Sequence, residues 1–348
     1  MKNKRILIYG PYGGANLGDD LIGISICNYF LNKKTFSTSI TLLNNEKSFD
    51  SIENLKFEIY PNLRRLKLGV LKIISSYDLI VIGGGQQITE PRLINPFWGH
   101  LSHLFWLSFI AKIKNVEVNI HGIGASKKIS HLGKLQLKYI LKNTKIISAR
   151  DKETQKMLLQ YNRKVKLTND LIFLDYNNYL KNSNRIIKNN IKIIFFPNSS
   201  IGKNSQEMNI LLLEKLLLLT NYKIHVCISD VQRNLDINLL KIIKIHFGNK
   251  LNYNIPRNIS ELFDFINSSE IVVTTRLHPS LLAIILNKKH LAISLIDKLN
   301  DVGSRYNMNL IEPDHFLKLD KLPNLRSEHN KISEIANNSL AFFDSFYS

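Results

Sequence analysis

The sequence predicts an α/β protein made of two Rossmann-like, doubly wound domains facing a cleft. Three observations carry this. Short β-branched runs alternate with helical patterns along nearly all of the 348 residues, as in parallel strands joined by crossover helices. Several of these runs end in glycine, arginine or histidine, residues suited to a ligand at the carboxyl edge of a sheet. The rhythm is interrupted once, by a polar, Asn-rich segment at 175–190 that reads as a linker. The length exceeds what one core usually organises, and the predicted domains are 1–175 and 176–330, with a terminal helix, 331–348, packing back across them.

The first strand spans 5–9 (RILIY) and runs into Gly10-Pro11-Tyr12-Gly13-Gly14-Ala15-Asn16-Leu17-Gly18-Asp19-Asp20, before a helix at 21–31. Glycines there would let backbone N–H groups approach a ligand, and the acidic pair suits a helix cap. The run is neither G-x-G-x-x-G nor a Walker loop, which excludes a dinucleotide or P-loop reading. Strands follow at 38–43 and 57–60, then a basic helix at 63–75. The hydrophobic run 79–82 enters Gly83-Gly84-Gly85 directly, and a tight turn explains one of those glycines better than three. An aromatic helix covers 101–113, beside Trp98; a buried core helix is the default at that length, and an interfacial helix the sharper alternative. A strand at 116–120 leads into His121-Gly122-Ile123-Gly124, a helix covers 132–143, and a strand from 146 ends in Arg150-Asp151 before a helix at 152–161. An Arg-Asp pair on a surface contributes little, but at a strand end Arg150 can hold an anion.

Beyond the linker, strands are predicted at 191–197, 222–229, 252–255, 271–275 and 290–296, with helices at 205–219, 231–247, 259–267 and 279–286. The strand 271–275 ends in Arg276-Leu277-His278-Pro279, and the last strand reaches Asp297-Lys298. Two basic groups beside a helix start form a seat for an anion.

The charge is +19, from 47 Lys and Arg against 28 Asp and Glu. The lysines are dispersed, without zinc-finger spacing or an aromatic-basic RNA signature. This argues for a solvated basic surface and against nucleic acid as a partner. Such a surface also suits peripheral contact with an anionic membrane face. Cys27 and Cys227 lie in separate apolar patterns, as buried free thiols of a reducing compartment do. The basic N-terminus precedes only a short apolar run and reads as a strand, not a signal peptide. The expected location is cytoplasmic, with the inner face of the membrane as the peripheral site.

Taken in order, Gly-Gly-Ala-Asn-Leu-Gly-Asp-Asp at 13–20, Asp78 through Gly85, Ser148-Ala149-Arg150-Asp151, Thr275-Arg276-Leu277-His278 and Asp297-Lys298 resemble the polysaccharide pyruvyl transferase family over about 5–308. The Arg-Leu-His element with its later lysine is the most specific part. Pro279, where family members commonly carry glycine, and Asn169-Asp170-Leu171 depart from the pattern.

The resemblance implies a GT-B-like fold and transfer of pyruvate from phosphoenolpyruvate to two hydroxyls of a sugar, as a cyclic ketal. It maps the donor-binding residues onto Arg150, Arg276, His278 and Lys298. Phosphoenolpyruvate would be a co-substrate, with no further cofactor and no metal. The acceptor would be a nucleotide- or lipid-linked sugar, with Asn16, Gly18, Asp19, Gly83, Gly84 and Gly85 as acceptor-side or loop candidates. The residue types fit this chemistry. A donor carrying phosphate and carboxylate calls for several cations, arginine above all. Protonation of its methylene carbon calls for an acid active near neutrality, and His278 is the candidate, with Arg276 beside it. Two alternatives stand: a GT-B glycosyltransferase using a nucleotide sugar, and a non-catalytic component of polysaccharide assembly. The first would be marked by a carboxylate in the C-terminal domain, where the local sequence around Arg276 shows cations.

Overall fold

The computed structural model describes residues 4–14, 16–33, 35–42, 55–59, 73–90, 99–126, 129–162, 164–183, 191–199, 203–230, 235–295, 297–325 and 329–347. The chain divides into two compact units. The first comprises Met1–Gly14, Asp19–Asp175 and Asn338–Ser348, the second Ala15–Gly18 and Tyr176–Asn337. Both are α/β units built on parallel sheets.

The first unit holds β1 (Lys4–Tyr9), β2 (Phe36–Leu42), β3 (Lys56–Ile59), β4 (Leu79–Gly83), β5 (Gln86–Ile88), β6 (Glu117–Ala125), β7 (Ile146–Ala149) and β8 (Lys166–Leu167). Their order is β3-β2-β1-β4-β6-β7-β8, with β5 paired to β6, and every pairing is parallel. All five residues of β4 are buried, which is why Leu-Ile-Val-Ile shows no polar alternation: both faces of the sheet are covered. The helices are α1 (Leu17–Leu31), α2 (His100–Ile113), α3 (His131–Lys142) and α4 (Lys152–Leu159). Helix α2 sends Leu101, Leu104, Leu107 and Ile110 into the core, with Phe105 and Phe109 packed against it. The aromatic segment is therefore a core helix; Trp98 lies outside the described residues. No described helix is long and apolar enough to cross a membrane.

Two boundaries in this unit differ from the sequence expectation. Helix α1 begins inside the glycine-rich stretch, because the Asn16 side chain accepts the Gly18 N–H at 3.2 Å and so caps the helix four residues early. Strand β6 does not stop at 120. Its register against β7 shifts between Ile120 and Ile123, and Gly122 takes a φ of 56°, so a bulge carries the strand through to Ala125. The basic helix expected at 63–75 lies mostly outside the described residues.

The second unit holds β9 (Ile191–Phe196), β10 (Ile224–Cys227), β11 (Leu251–Asn254), β12 (Ser269–Thr274), β13 (Lys289–Ile293) and β14 (Leu310–Ile311). The order β11-β10-β9-β12-β13-β14 is, counted from β9, that of the dinucleotide-binding fold. Helices α5 (Tyr176–Ser183), α6 (Lys203–Leu219), α7 (Leu235–Phe247), α8 (Ile259–Asn267), α9 (Leu277–Ile285), α10 (Asp297–Tyr306), α11 (Pro313–Leu317) and α12 (His329–Tyr347) complete the chain.

The expected linker is in part a helix. Within 175–190, α5 buries Tyr176 and Tyr179, and Tyr179 packs on Phe263 of α8 with ring centroids 5.0 Å apart; residues 184–190 lie outside the described set. Asp297 and Lys298 begin α10 instead of ending a strand, and their side chains lie outside the described residues. Residues of α12 from Asn338 onward count with the first unit. There the Tyr347 hydroxyl meets Asn119 Nδ2 at 3.1 Å and His121 Nε2 at 2.7 Å, and Phe343 lies 4.6 Å from the His121 ring. Burial lowers the His121 imidazole to a pKa of about 3, so it is neutral at physiological pH. Both cysteines are free and buried, and burial pushes both thiols up.

Candidate active site

A doubly wound sheet leaves a crevice where its strand order reverses, outside the carboxyl ends of the two strands concerned. The reversal falls between β1 and β4 in the first unit and between β9 and β12 in the second. The glycine-rich N-terminal stretch, Gly83 to Gly85 and the Arg-Leu-His element lie at the ends of these strands.

In the second unit, Thr275 N–H donates to Phe196 O at 3.0 Å, tying the end of β12 to the end of β9. Arg276 is the N-cap residue of α9, with extended backbone. Its Nε donates to the Pro197 carbonyl at 2.8 Å, so the guanidinium lies across the reversal point. Nη2 donates to Asp236 Oδ2, and Nη1 stands 3.9 Å from Asp230 Oδ2. Asp236 is nearly fully buried, and its other oxygen accepts from Ser199 Oγ at 2.5 Å. Burial raises the Asp236 carboxyl, opposed by Arg276 and Ser199. The sequence reads this corner as purely cationic; the sheet order brings two carboxylates to it, and the absence of a local carboxylate no longer separates the alternatives.

His278 is the second residue of α9, and its ring packs on Gly18. A Cβ at Gly18 would stand 2.2 Å from His278 Nδ1 and 2.8 Å from Cγ, so only glycine leaves the imidazole where it is. Gly18 is held by its neighbours: Leu17 N–H donates to Ser229 O at 3.0 Å, and Asn16 forms an isolated antiparallel bridge with Asp230. Asn16 and Gly18, acceptor-side or loop candidates from the sequence, thus count with the second unit. Pro279 is the third residue of α9, not its first. A first-turn position needs no intrahelical N–H, so the departure from the family pattern leaves the helix intact.

The first unit treats its reversal point differently. Tyr12 from the glycine-rich loop is wholly buried, and its hydroxyl donates to Gly83 O at 2.7 Å. A Cβ on Gly10 or Gly23 would meet the Tyr12 ring at 2.3 or 2.8 Å. Glycines expected to bare backbone for a ligand also make room for packing. A Cβ on Gly83 would meet Ile26 at 2.1 Å, and one on Gly84 would meet Ile22 at 2.3 Å. Gly85, with a φ of 69°, lies near Asp19, whose Oδ1 a Cβ there would meet at 3.3 Å. Asp20 is not the cap of α1; its Oδ1 accepts the Gly13 N–H at 2.7 Å and braces the loop.

Arg150 follows β7 in the first unit and is buried, not on the surface. Its Nη1 lies 3.7 Å from Asp170 Oδ2 and its Nε 3.8 Å from Asp151 Oδ2. Asp151 also caps α4, accepting the Thr154 N–H at 2.7 Å. Beyond these motifs, a cavity of about 390 Å³ opens in this unit between α3 and α4, with Lys134, Lys156, Met157 and Tyr161 on its walls. Among the described residues, no group of three or more His, Cys, Asp or Glu side chains could hold a metal ion.

The structure therefore brings Arg276, His278, Asn16 and Gly18 together in the second unit, with Arg150, Asp19 and Gly83 to Gly85 in the first. Asp230, Asp236 and Ser199 were missed. Asp236 could be read only as an acid at a helix start, and its meeting with Arg276 follows from strand order.

Comparison with solved structures finds the same overall fold at low sequence identity. MnaA from S. aureus, solved with UDP, is 11% identical with a TM-score of 0.60, covering 99% of this chain and 98% of its own. The UDP-GlcNAc 2-epimerase from Methanocaldococcus jannaschii is 12% identical with a TM-score of 0.60 and full coverage of both chains. A glycosyltransferase from Rickettsia africae is 14% identical with a TM-score of 0.58, covering 98% of this chain and 92% of its own. These likenesses make the fold GT-B-like. Comparison with curated proteins found no match. The sequence profile of the polysaccharide pyruvyl transferases matches residues 16–297, a span that takes in the glycine-rich segment at its start, the Arg-Leu-His element and the beginning of α10. With that match over most of its length, the chain belongs to the polysaccharide pyruvyl transferase family.

Proposed function

We propose that the protein transfers pyruvate from phosphoenolpyruvate to a sugar of a cell-surface polysaccharide or its precursor, forming a cyclic ketal. The observation that carries this reading is the seating of Arg276 and His278 at a reversal point of the second sheet, against Gly18 of the N-terminal motif. The second unit is the donor side. Arg276 offers a fork to the phosphate or carboxylate, assisted by Lys298 and the first-turn N–H groups of α9. Arg150 is carried as a further donor-binding residue by its motif. The first unit is the acceptor side, and its cavity between α3 and α4 has a size suited to part of a nucleotide- or lipid-linked sugar.

His278 would protonate the methylene carbon of the donor as the first sugar hydroxyl attacks C2. The C2–O bond to phosphate then breaks, with the developing charge held by Arg276 and Lys298, and the second hydroxyl closes the ring. Of the two hydroxyl protons, one ends in the new methyl group and the other leaves with phosphate. Asp236 keeps the guanidinium oriented before the donor arrives. No metal is needed for these steps.

Asp230 and Asp236 favour one second reading. Carboxylates in the second unit are what a nucleotide-sugar glycosyltransferase would use to hold a ribose. One experiment separates the two: incubation with phosphoenolpyruvate and a panel of lipid-linked and nucleotide-linked sugars. Pyruvylation gives phosphate and an acceptor heavier by one pyruvate less one water. Sugar transfer from a nucleotide donor, with phosphoenolpyruvate untouched, would overturn the proposal.

A further inference from the structure

The helical layer of the second unit formed by α6 and α7 carries a surface the proposed reaction does not use. Helix α6 is leucine-rich on more than one side. Leu212, Leu213 and Leu216 are fully buried, while Leu218 is 82% exposed and Leu211, seven residues earlier on the same stripe, 45%. On α7, Ile245 is 86% exposed, and Tyr222, between α6 and β10, is 53% exposed. His246 Nε2 meets Glu214 Oε1 at 2.8 Å. That contact joins the two helices near their carboxyl ends, so Leu218, one turn beyond Glu214, and Ile245 stand at the same end of the layer.

Charge around these side chains is mixed with a positive excess: Glu214 is half-exposed near Leu218, and Glu270 pairs with Lys192, whose ammonium lies 5.7 Å from the centre of the Tyr222 ring. Lys241 and Lys244 are exposed on α7 with Ile245, and Lys250 is exposed in the turn that follows the helix. The one acid of α7, Asp236, is buried under Arg276. On α6, Glu214 is paired with His246, and Glu207 stands near the opposite end of the helix. A protruding Leu, Ile and Tyr with an excess of lysines alongside matches the boundary of an anionic bilayer. There the aliphatics enter the acyl edge, tyrosine sits at the headgroups and the cations meet lipid phosphates.

We infer that the carboxyl ends of α6 and α7 dock on an anionic bilayer surface through Leu218, Tyr222 and Ile245, with Lys241, Lys244 and Lys250 on its headgroups. Tyr222 lies two residues before β10, so this surface lies at the strands' amino ends, and docking leaves Arg276 and His278 at their carboxyl ends uncovered. The inference stands apart from the reaction proposed above and holds whichever group the enzyme transfers.

Co-sedimentation of the full chain with phosphatidylcholine vesicles, with and without phosphatidylglycerol, tests it. Binding is expected only with phosphatidylglycerol, falling as salt rises. The Leu218→Asp/Ile245→Asp variant should lose it while keeping the circular dichroism and melting temperature of the parent. At roughly fivefold per cation, Lys241→Ala/Lys244→Ala should weaken binding about twentyfold, whereas Lys138→Ala/Lys142→Ala on α3 should leave it unchanged. Equal losses from the two lysine pairs would show diffuse charge attraction and overturn the assignment. So would equal binding to both vesicle types. A wild type that dimerises in sedimentation equilibrium, and becomes monomeric on Leu218→Asp/Ile245→Asp, would make the surface a contact between copies and overturn it too.

Discussion

The two units reverse their strand order in the same way and then do opposite things with the crevice that results. In the first unit, Tyr12 fills the place where a ligand would approach, with its hydroxyl tied to Gly83. In the second, the same place holds a guanidinium, two carboxylates and an imidazole seated on a glycine. A glycine-rich strand end is therefore not by itself a ligand site. What decides is whether the side chains converging on it are apolar and filled or polar and charged.

The largest expected effect lies in the second crevice. His278→Gln should lower phosphate release from phosphoenolpyruvate by about 10³-fold, the range for a positioned general acid, with the fold intact by circular dichroism. A loss below tenfold would mean that the proton comes from elsewhere. In the first crevice the loss should be of stability. Tyr12→Ala should cost about 4 kcal/mol, the scale for emptying a large buried ring, read by urea unfolding. Tyr12→Phe, which removes only the hydrogen bond to Gly83, should cost about 1 kcal/mol. If Tyr12→Ala left stability unchanged and weakened acceptor use, the first crevice would be a ligand site after all.

The neutral His121 gives the first unit a pH dependence with a definite sign. Its folded pKa, about 3, lies below the unfolded value of about 6.5. The unfolded chain thus binds the proton more readily, and stability is complete above pH 6.5 and falls as pH drops toward 3. Between pH 7 and pH 5 the loss from this residue should be on the order of 2 kcal/mol, and His121→Phe should flatten that slope in urea titrations. On turnover, a smaller effect than that of His278→Gln is expected of Gly18→Ala. It pushes the His278 ring aside without touching the donor and should lower turnover about tenfold, the scale of a small misplacement. An unchanged rate would show that the ring does not need that seat.

The sequence pattern made some of this legible and hid the rest for physical reasons. Parallel strands buried on both faces read as apolar runs, so β4, β9 and β12 were found within two residues. Arg276 and His278 were visible because a strand end and a helix start are adjacent in sequence. Asp236 was not, since it reaches Arg276 through sheet order and not through proximity along the chain. Tyr12 reads as a loop residue because no local pattern shows that Gly10, Gly23 and Gly83 all clear space for one ring. Helix α5 reads as linker because its polar composition hides the two tyrosines that bury it.

The comparison rests on Arg276 being the donor's fork and Tyr12 being packing. Titration calorimetry of phosphoenolpyruvate into the wild type, Arg276→Ala and Tyr12→Phe tests both halves. Arg276→Ala should weaken binding by about 3 kcal/mol, as for one partner of a buried charge pair, and Tyr12→Phe should leave it unchanged. An Arg276→Ala protein that binds phosphoenolpyruvate as tightly as the wild type would contradict the account.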